Sequence, residues 1–206
     1  MYKMKLKTLS SLCSFVSIGL LTCFFVSCGS EYDRKAKAEL AKGIRNDSLF
    51  LGIYLGMPRQ AFFDRCTELN KQKQITNGLA SMVEYKFKEA NDVVVMHFFP
   101  EFSDAKISAM KAEYTYEAWA PWNTNFQSDH LQPKLIKLLE KRYGIGFFKI
   151  DDTDKGAAFA KIDGNRRIVV SIKDEETVLV VFTDLTAKPA EEDIIDASVV
   201  EQKEKQ

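Results

Sequence analysis

Twice along this chain an apolar stripe at helical spacing gives way to apolar residues at every second position, and that change of period decides what the chain can fold into. In the first half Phe62, Cys66 and Leu69 recur at i, i+4 and i+7, with Phe63 widening the stripe. Pro58 precedes them, where a helix tolerates a missing donor. Beyond Asn77-Gly78 the period becomes two: Val83, Tyr85 and Phe87 alternate with Glu84, Lys86 and Lys88, as in a half-buried strand. Asn91-Asp92 turns the chain into a nearly continuous apolar strand over Val93 to Phe99, ended by Pro100. Ser103-Asp104 turns it again into a third, with Met110, Ala112, Tyr114 and Tyr116 facing one way and Lys111, Glu113 and Thr115 the other.

The second half runs in the same order. Ser128 or Asp129 can cap a helix striped by Leu131, Leu135, Leu138 and Leu139, in which Pro133 sits near the start and Gly144 marks the stop. Strands are expected over 146–150, 157–162, 167–172 and 177–183, with Asp163-Gly164-Asn165 as a hairpin turn. The expected fold class is therefore α+β: two tandem helix-then-antiparallel-strands repeats, about 48–118 and 119–186, with both helices packed on one face of a meandering antiparallel sheet. Residues 48–186 are the right length for one domain with one core.

What flanks that domain is of a different kind. Lys3, Lys5 and Lys7 open the chain without an acid, an uncharged and largely apolar run follows from Leu9 to Val26, and Phe25-Val26-Ser27-Cys28 closes it. This resembles a bacterial lipoprotein signal, with residues 1–27 removed and diacylglycerol and a further acyl chain such as palmitate placed on Cys28. Phe25 stands where the commonest pattern has Leu. The other reading is an uncleaved anchor, since the run approaches the roughly 20 residues that span hydrocarbon. The polar Gly29-Ser30-Glu31 after Cys28 suits lipidation better. Without the leader the balance of 29 basic and 29 acidic side chains tips slightly acidic, which argues against a general nucleic-acid binder. Cys13 and Cys23 leave with the leader, so Cys66 is the remaining thiol and no internal disulfide can form. Residues 28–47 read as a lipidated N-terminus and tether, in part helical, reaching about 60 Å if extended. Residues 187–206 read as a flexible acidic tail with a weak helix among Ile194, Ile195, Val199 and Val200.

The run GIYLGMPRQAFFDRC from Gly52 to Cys66 is similar to the glycine-methionine approach to a helix in small outer-membrane lipoproteins of the BamE (SmpA/OmlA) type and in beta-lactamase-inhibitor-like repeats. The glycine-proline turn that usually follows that helix is replaced by Asn70 to Gly78. Taken together, the lipidation signal, NDSLFLGIYLGM, WAPWN at Trp119 to Asn123 and DGNRR at Asp163 to Arg167 resemble uncharacterised lipoproteins of Bacteroides-like gut bacteria. The first resemblance implies an assembly or inhibitor role; the second carries no known activity. Glycine after Cys28 lacks the aspartate that retains lipoproteins in the inner membrane of enteric bacteria, so the outer membrane is expected, on its periplasmic or its exposed face. Glu31 and Asp33 are similar to the acidic export signals of Bacteroides-like surface lipoproteins.

Residues for chemistry are few. His97 lies in an apolar strand and His130 at a helix start, neither beside a Ser or Cys motif. Cys66 shares a stripe with Phe62 and Leu69 and reads as a buried, inert thiol. Asp151-Asp152-Thr153-Asp154 fails the calcium-loop pattern when counted from Gly156 and reads as a solvated turn. Gly144-Ile145-Gly146 lacks the setting of a dinucleotide site. No cofactor and no metal site is expected. The distinctive cluster is aromatic: Tyr114, Tyr116, Trp119 and Trp122, with Phe126, around Pro121. These rings either cover the sheet and the junction between halves, or offer faces to a sugar or a protein. Arg166 and Arg167 beside the hairpin turn can pair acids of a partner. The sequence thus points to a non-enzymatic cell-envelope lipoprotein, held to the membrane through Cys28 and binding an envelope protein. The alternatives are a glycan-binding lipoprotein using Trp119 and Trp122 and, more distantly, a hydrolase with a carboxylate pair.

Overall fold

A computed structural model describes residues 30–78, 82–153 and 156–188. The leader, Cys28, Asp154 and the tail from residue 189 lie outside them. The elements in order are α1 (Glu31–Ala41), α2 (Arg59–Lys71), β1 (Thr76–Asn77), β2 (Val83–Glu89), β3 (Asp92–Ser103), β4 (Lys106–Tyr116), α3 (Ser128–Tyr143), β5 (Phe148–Thr153), β6 (Gly156–Asp163), β7 (Arg166–Ile172) and β8 (Val178–Asp184). The architecture is α+β, with three helices and an open eight-stranded antiparallel sheet in the order β1-β2-β3-β4-β8-β7-β6-β5. Each run of strands meanders, and the two runs join where the last strand, β8, pairs with β4.

Antiparallel partners share a sheet face, so the register sorts the side chains. One face carries the rungs Met96–Tyr114–Val178, Phe98–Ala112–Val180–Val170 and Met110–Phe182–Ile168. These residues form the core with Leu131, Leu135 and Leu139 of α3 and Phe62 of α2. Leu49, Phe50, Ile53 and Leu55 join them from the glycine-punctuated segment before α2, and the Phe50 ring meets Phe98 edge-on at 5.1 Å and Phe182 at 5.9 Å. The opposite face carries Glu84–His97–Glu113–Leu179–Ser171 on one rung and Phe99–Lys111–Val181–Val169–Ala160–Phe148 on the next.

Within the stretch expected to be a partly helical tether, an 11-residue helix forms. Ser30 and Asp33 make a reciprocal capping box, each side chain accepting the other's backbone N–H at 3.1 Å. The helix buries no residue of its own and rests on the second face, over β5 to β7. There the Tyr32 hydroxyl accepts from Arg167 at 2.9 Å, the Lys35 ammonium stands 3.8 Å above the Phe148 ring, and Glu39 accepts from the Gly164 N–H at 3.3 Å.

Two local expectations change. Ser128 does not cap α3: Gln127 holds that position, while Ser128 is buried and its hydroxyl donates to the Asp174 carbonyl at 2.6 Å, tying the helix to the turn before β8. The acidic run read as a turn is strand β5 through Thr153, paired with β6 around a bulge between Lys149 and Asp151.

The chain between α1 and α2 is fixed by a polar network. Asn46 N–H donates to Asn165 at 2.7 Å, Asn165 donates to Asp47 at 2.8 Å, and Arg45 bridges Asp47 and Asp184 at 2.8 Å each. A methyl group on Gly164 would stand 2.2 Å from the Ile44 carbonyl oxygen, and Gly164 has φ of +58°. Gly164→Ala is expected to destabilise by more than about 1 kcal/mol and Phe182→Ala by about 3–5 kcal/mol, both read from urea unfolding. Burial raises the Asp184 pKa, but hydrogen bonds from Thr186, Arg45 and Asn165 outweigh it and hold the carboxyl below its reference value of 3.8. Its contribution to stability is therefore complete above that value and lost as pH falls through the lower, folded-state pKa. Asp184→Asn is expected to flatten this acid limb of the stability curve below about pH 4, measured by unfolding across pH.

Candidate binding site at the aromatic loop

Strand β4 delivers its aromatic residues in alternation and then stops, because Trp119 N–H bonds back to the Tyr116 carbonyl at 3.1 Å and begins a turn. Pro121 follows within the next turn, closed by Asn123 N–H to Ala120 at 2.9 Å, and a 3-10 turn over Thr124–Phe126 leads into α3. Tyr114 and Tyr116 point into the core and are buried. Tyr116 meets Phe126 edge-on at 5.0 Å, and the Lys134 ammonium stands 5.1 Å from its ring centre. Burial pushes the Tyr114 hydroxyl far above the usual phenol range. These two tyrosines are floor, not surface.

Above that floor the tryptophans differ. Trp119 is half-buried against the core, and its indole N–H is enclosed with no acceptor among the described residues. Trp122 is 86% exposed. An indole left so open keeps a large apolar area in water, which a partner ring, aliphatic group or sugar face would cover. The loop is thus a single projecting aromatic on a packed base.

The arginines are placed differently from their reading as surface groups. Arg166 is only 5% exposed: it donates to both Asp163 oxygens at 3.1 and 2.8 Å and to the Ser48 carbonyl, and stacks 4.6 Å from the Tyr143 ring. It is committed within the chain, because the turn Asp163-Gly164-Asn165 folds its carboxylate back three residues. Arg167 points to the second sheet face, where it bonds Tyr32 and Thr183, with its Nε enclosed and without an acceptor among the described residues. Together with Ser30, Tyr32, Phe148, Ile150 and Val169 it lines an open groove of 390 Å³ between the start of α1 and the sheet. Nothing in the sequence around Arg167 signals Tyr32 as its partner.

The groups suited to chemistry are scattered or tied. His97 lies on the second sheet face, bonded to Glu84 at 3.1 Å, and His130 is exposed on the first turn of α3. Burial alone would raise the Glu84 pKa, but the His97 hydrogen bond and nearby Lys86 hold it below the usual range, the opposite of what a general acid needs. Burial pushes the Cys66 thiol up to about 11, so it carries little thiolate near neutrality. Among the described residues no group of three His, Cys, Asp or Glu side chains gathers as metal ligands. No helix of the described residues is long and apolar enough to cross a membrane.

The chain matches no protein-family model, no curated protein and no solved structure.

Two outcomes follow from the loop. Iodide is expected to quench the fluorescence of Trp122 strongly, so that Trp122→Phe leaves an emission that iodide scarcely touches. Trp119→Phe removes an enclosed donor that lacks an acceptor, and is expected to leave stability unchanged or raise it by up to about 1 kcal/mol, measured by urea unfolding.

Proposed function

We propose that this protein is a non-enzymatic cell-envelope lipoprotein, acylated on Cys28 and held to the outer membrane, that binds an envelope protein through the loop bearing Trp122. The observation that carries this reading is Trp122 itself, exposed at the tip of a turn whose neighbouring aromatics are packed. A rigid floor beneath one open indole is the arrangement of a binding anchor: little side-chain freedom is lost on contact, and the apolar area gained is large. The sequence supports the lipid anchor through Lys3, Lys5 and Lys7, the apolar run and Cys28.

The sheet supports the resemblance to BamE-type and beta-lactamase-inhibitor-like lipoprotein repeats. In this reading each of α2 and α3 with the meander that follows it is one half-repeat, about 48–118 and 119–186, and both helices cover the same sheet face. An assembly role then follows from the resemblance, and the junction between the halves, residues 117–127, is the loop that carries Trp122. The same open indole favours a glycan as the second reading, since a sugar ring stacks on it equally well.

One experiment separates the two. A photo-reactive phenylalanine at position 122 in intact cells is expected to yield one discrete protein adduct, absent when the same group is at exposed Lys137. Recovery of the protein alone at both positions counts against protein binding. Retention on an envelope glycan column, abolished by Trp122→Ala, would favour the glycan instead. Mass spectrometry of the purified chain is expected to show Cys28 at its amino terminus, bearing diacylglycerol and a further acyl chain.

A further inference from the structure

We infer that the sheet face opposite the core lies against the headgroup surface of the bilayer that anchors the chain, an inference that rests on acylation of Cys28. The argument is one of reach. Helix α1 is capped at Ser30, so two Cα steps separate Cys28 from the start of a docked helix, a span of about 7 Å at most. The helix is fixed to this face along its length, through Tyr32 to Arg167, Lys35 to Phe148, and Glu39 to Gly164. Its amino end therefore emerges beside Arg167 and Val169, on the face away from α3. For the opposite face to meet the bilayer, the two-residue link would have to pass around the sheet and a helix layer about 10 Å thick.

The chemistry of the face suits a zwitterionic surface. Its open part, beyond α1, carries Phe99 at 47% exposure, with Leu179 and Val181 half-buried beside it. Around these apolar groups run alternating charges in ion pairs: Lys86 with Glu117 at 2.9 Å, Lys173 with Glu113 at 2.7 Å, and Lys111 with Glu101. Paired ammonium and carboxylate groups match phosphate and ammonium headgroups without a demand for net anionic lipid, and an aromatic ring at that level is favoured at the interface. On this geometry the 60 Å reach of an extended tether is not used.

The test uses the full chain acylated in cells and reconstituted in phosphatidylethanolamine–phosphatidylglycerol vesicles, with Cys66→Ala throughout. A fluorophore is attached at Phe99→Cys or, on the exposed side of α3, at Lys137→Cys, and quenched by lipid bearing a headgroup nitroxide. Quenching at 99 is expected to exceed that at 137 by at least threefold, and a 20-residue Gly-Ser insertion after Gly29 is expected to bring the two towards equality. Equal quenching without the insertion, or stronger quenching at 137, in a chain shown by mass spectrometry to be acylated overturns the orientation and leaves the lipoprotein reading intact. A chain without fatty acid at Cys28 overturns both.

Discussion

The pairing of β8 with β4 is the interaction on which the rest of the structure depends. Its register, Ala109 to Tyr114 against Thr183 to Val178, joins two meanders into one sheet and sets Met110 beside Phe182 and Ala112 beside Val180. A slip of one residue would turn Val178, Val180 and Phe182 to the charged face and Leu179 and Val181 to the core, so the apolar pattern rules out an odd shift of register. With that alignment, α3 has a continuous apolar floor and Phe50 has two rings to meet. The two faces then acquire opposite roles: one packs, and the other is left as ladders of paired charge around Phe99.

The polar network at the base of β6 and β7 is the second constraint. Asp184, Asn165 and Arg166 are buried, and each is paired within the chain, which is the condition under which buried polar groups are tolerated. This network accounts for Arg166, whose place in DGNRR gave it the look of a surface group. It also sets where α1 sits, since Glu39 meets the same turn at Gly164.

Much of this was legible in the sequence because the period of two is a local signal. The alternation of Met110, Ala112, Tyr114 and Tyr116 named the core side of β4 correctly, and Asp163-Gly164-Asn165 marked the hairpin between β6 and β7. Ser128 was misread because the residue type that suits a cap also suits a buried hydroxyl, and its true acceptor, Asp174, is 46 residues away. Asp151 and Asp152 looked like turn residues by composition, yet pairing with β6 overrides that preference. The aromatic cluster was visible as a cluster, but which ring projects depends on where β4 ends and which side of the turn each residue takes. Spacing alone made Trp119 and Trp122 equivalent; packing against the core separates them.

The close fit of the Ile44 carbonyl over Gly164 has a kinetic consequence. Asn46 and Asn165 are 119 positions apart, so their contact closes a loop almost as long as the domain, and contacts of such separation carry a closure cost that slows folding. The same contact anchors the segment holding Leu49, Phe50, Ile53 and Leu55, so a chain in which it is open uncovers part of the apolar interior. Apolar surface uncovered in that way favours aggregation, and a chaperone that shields the amino-terminal strip would protect the chain.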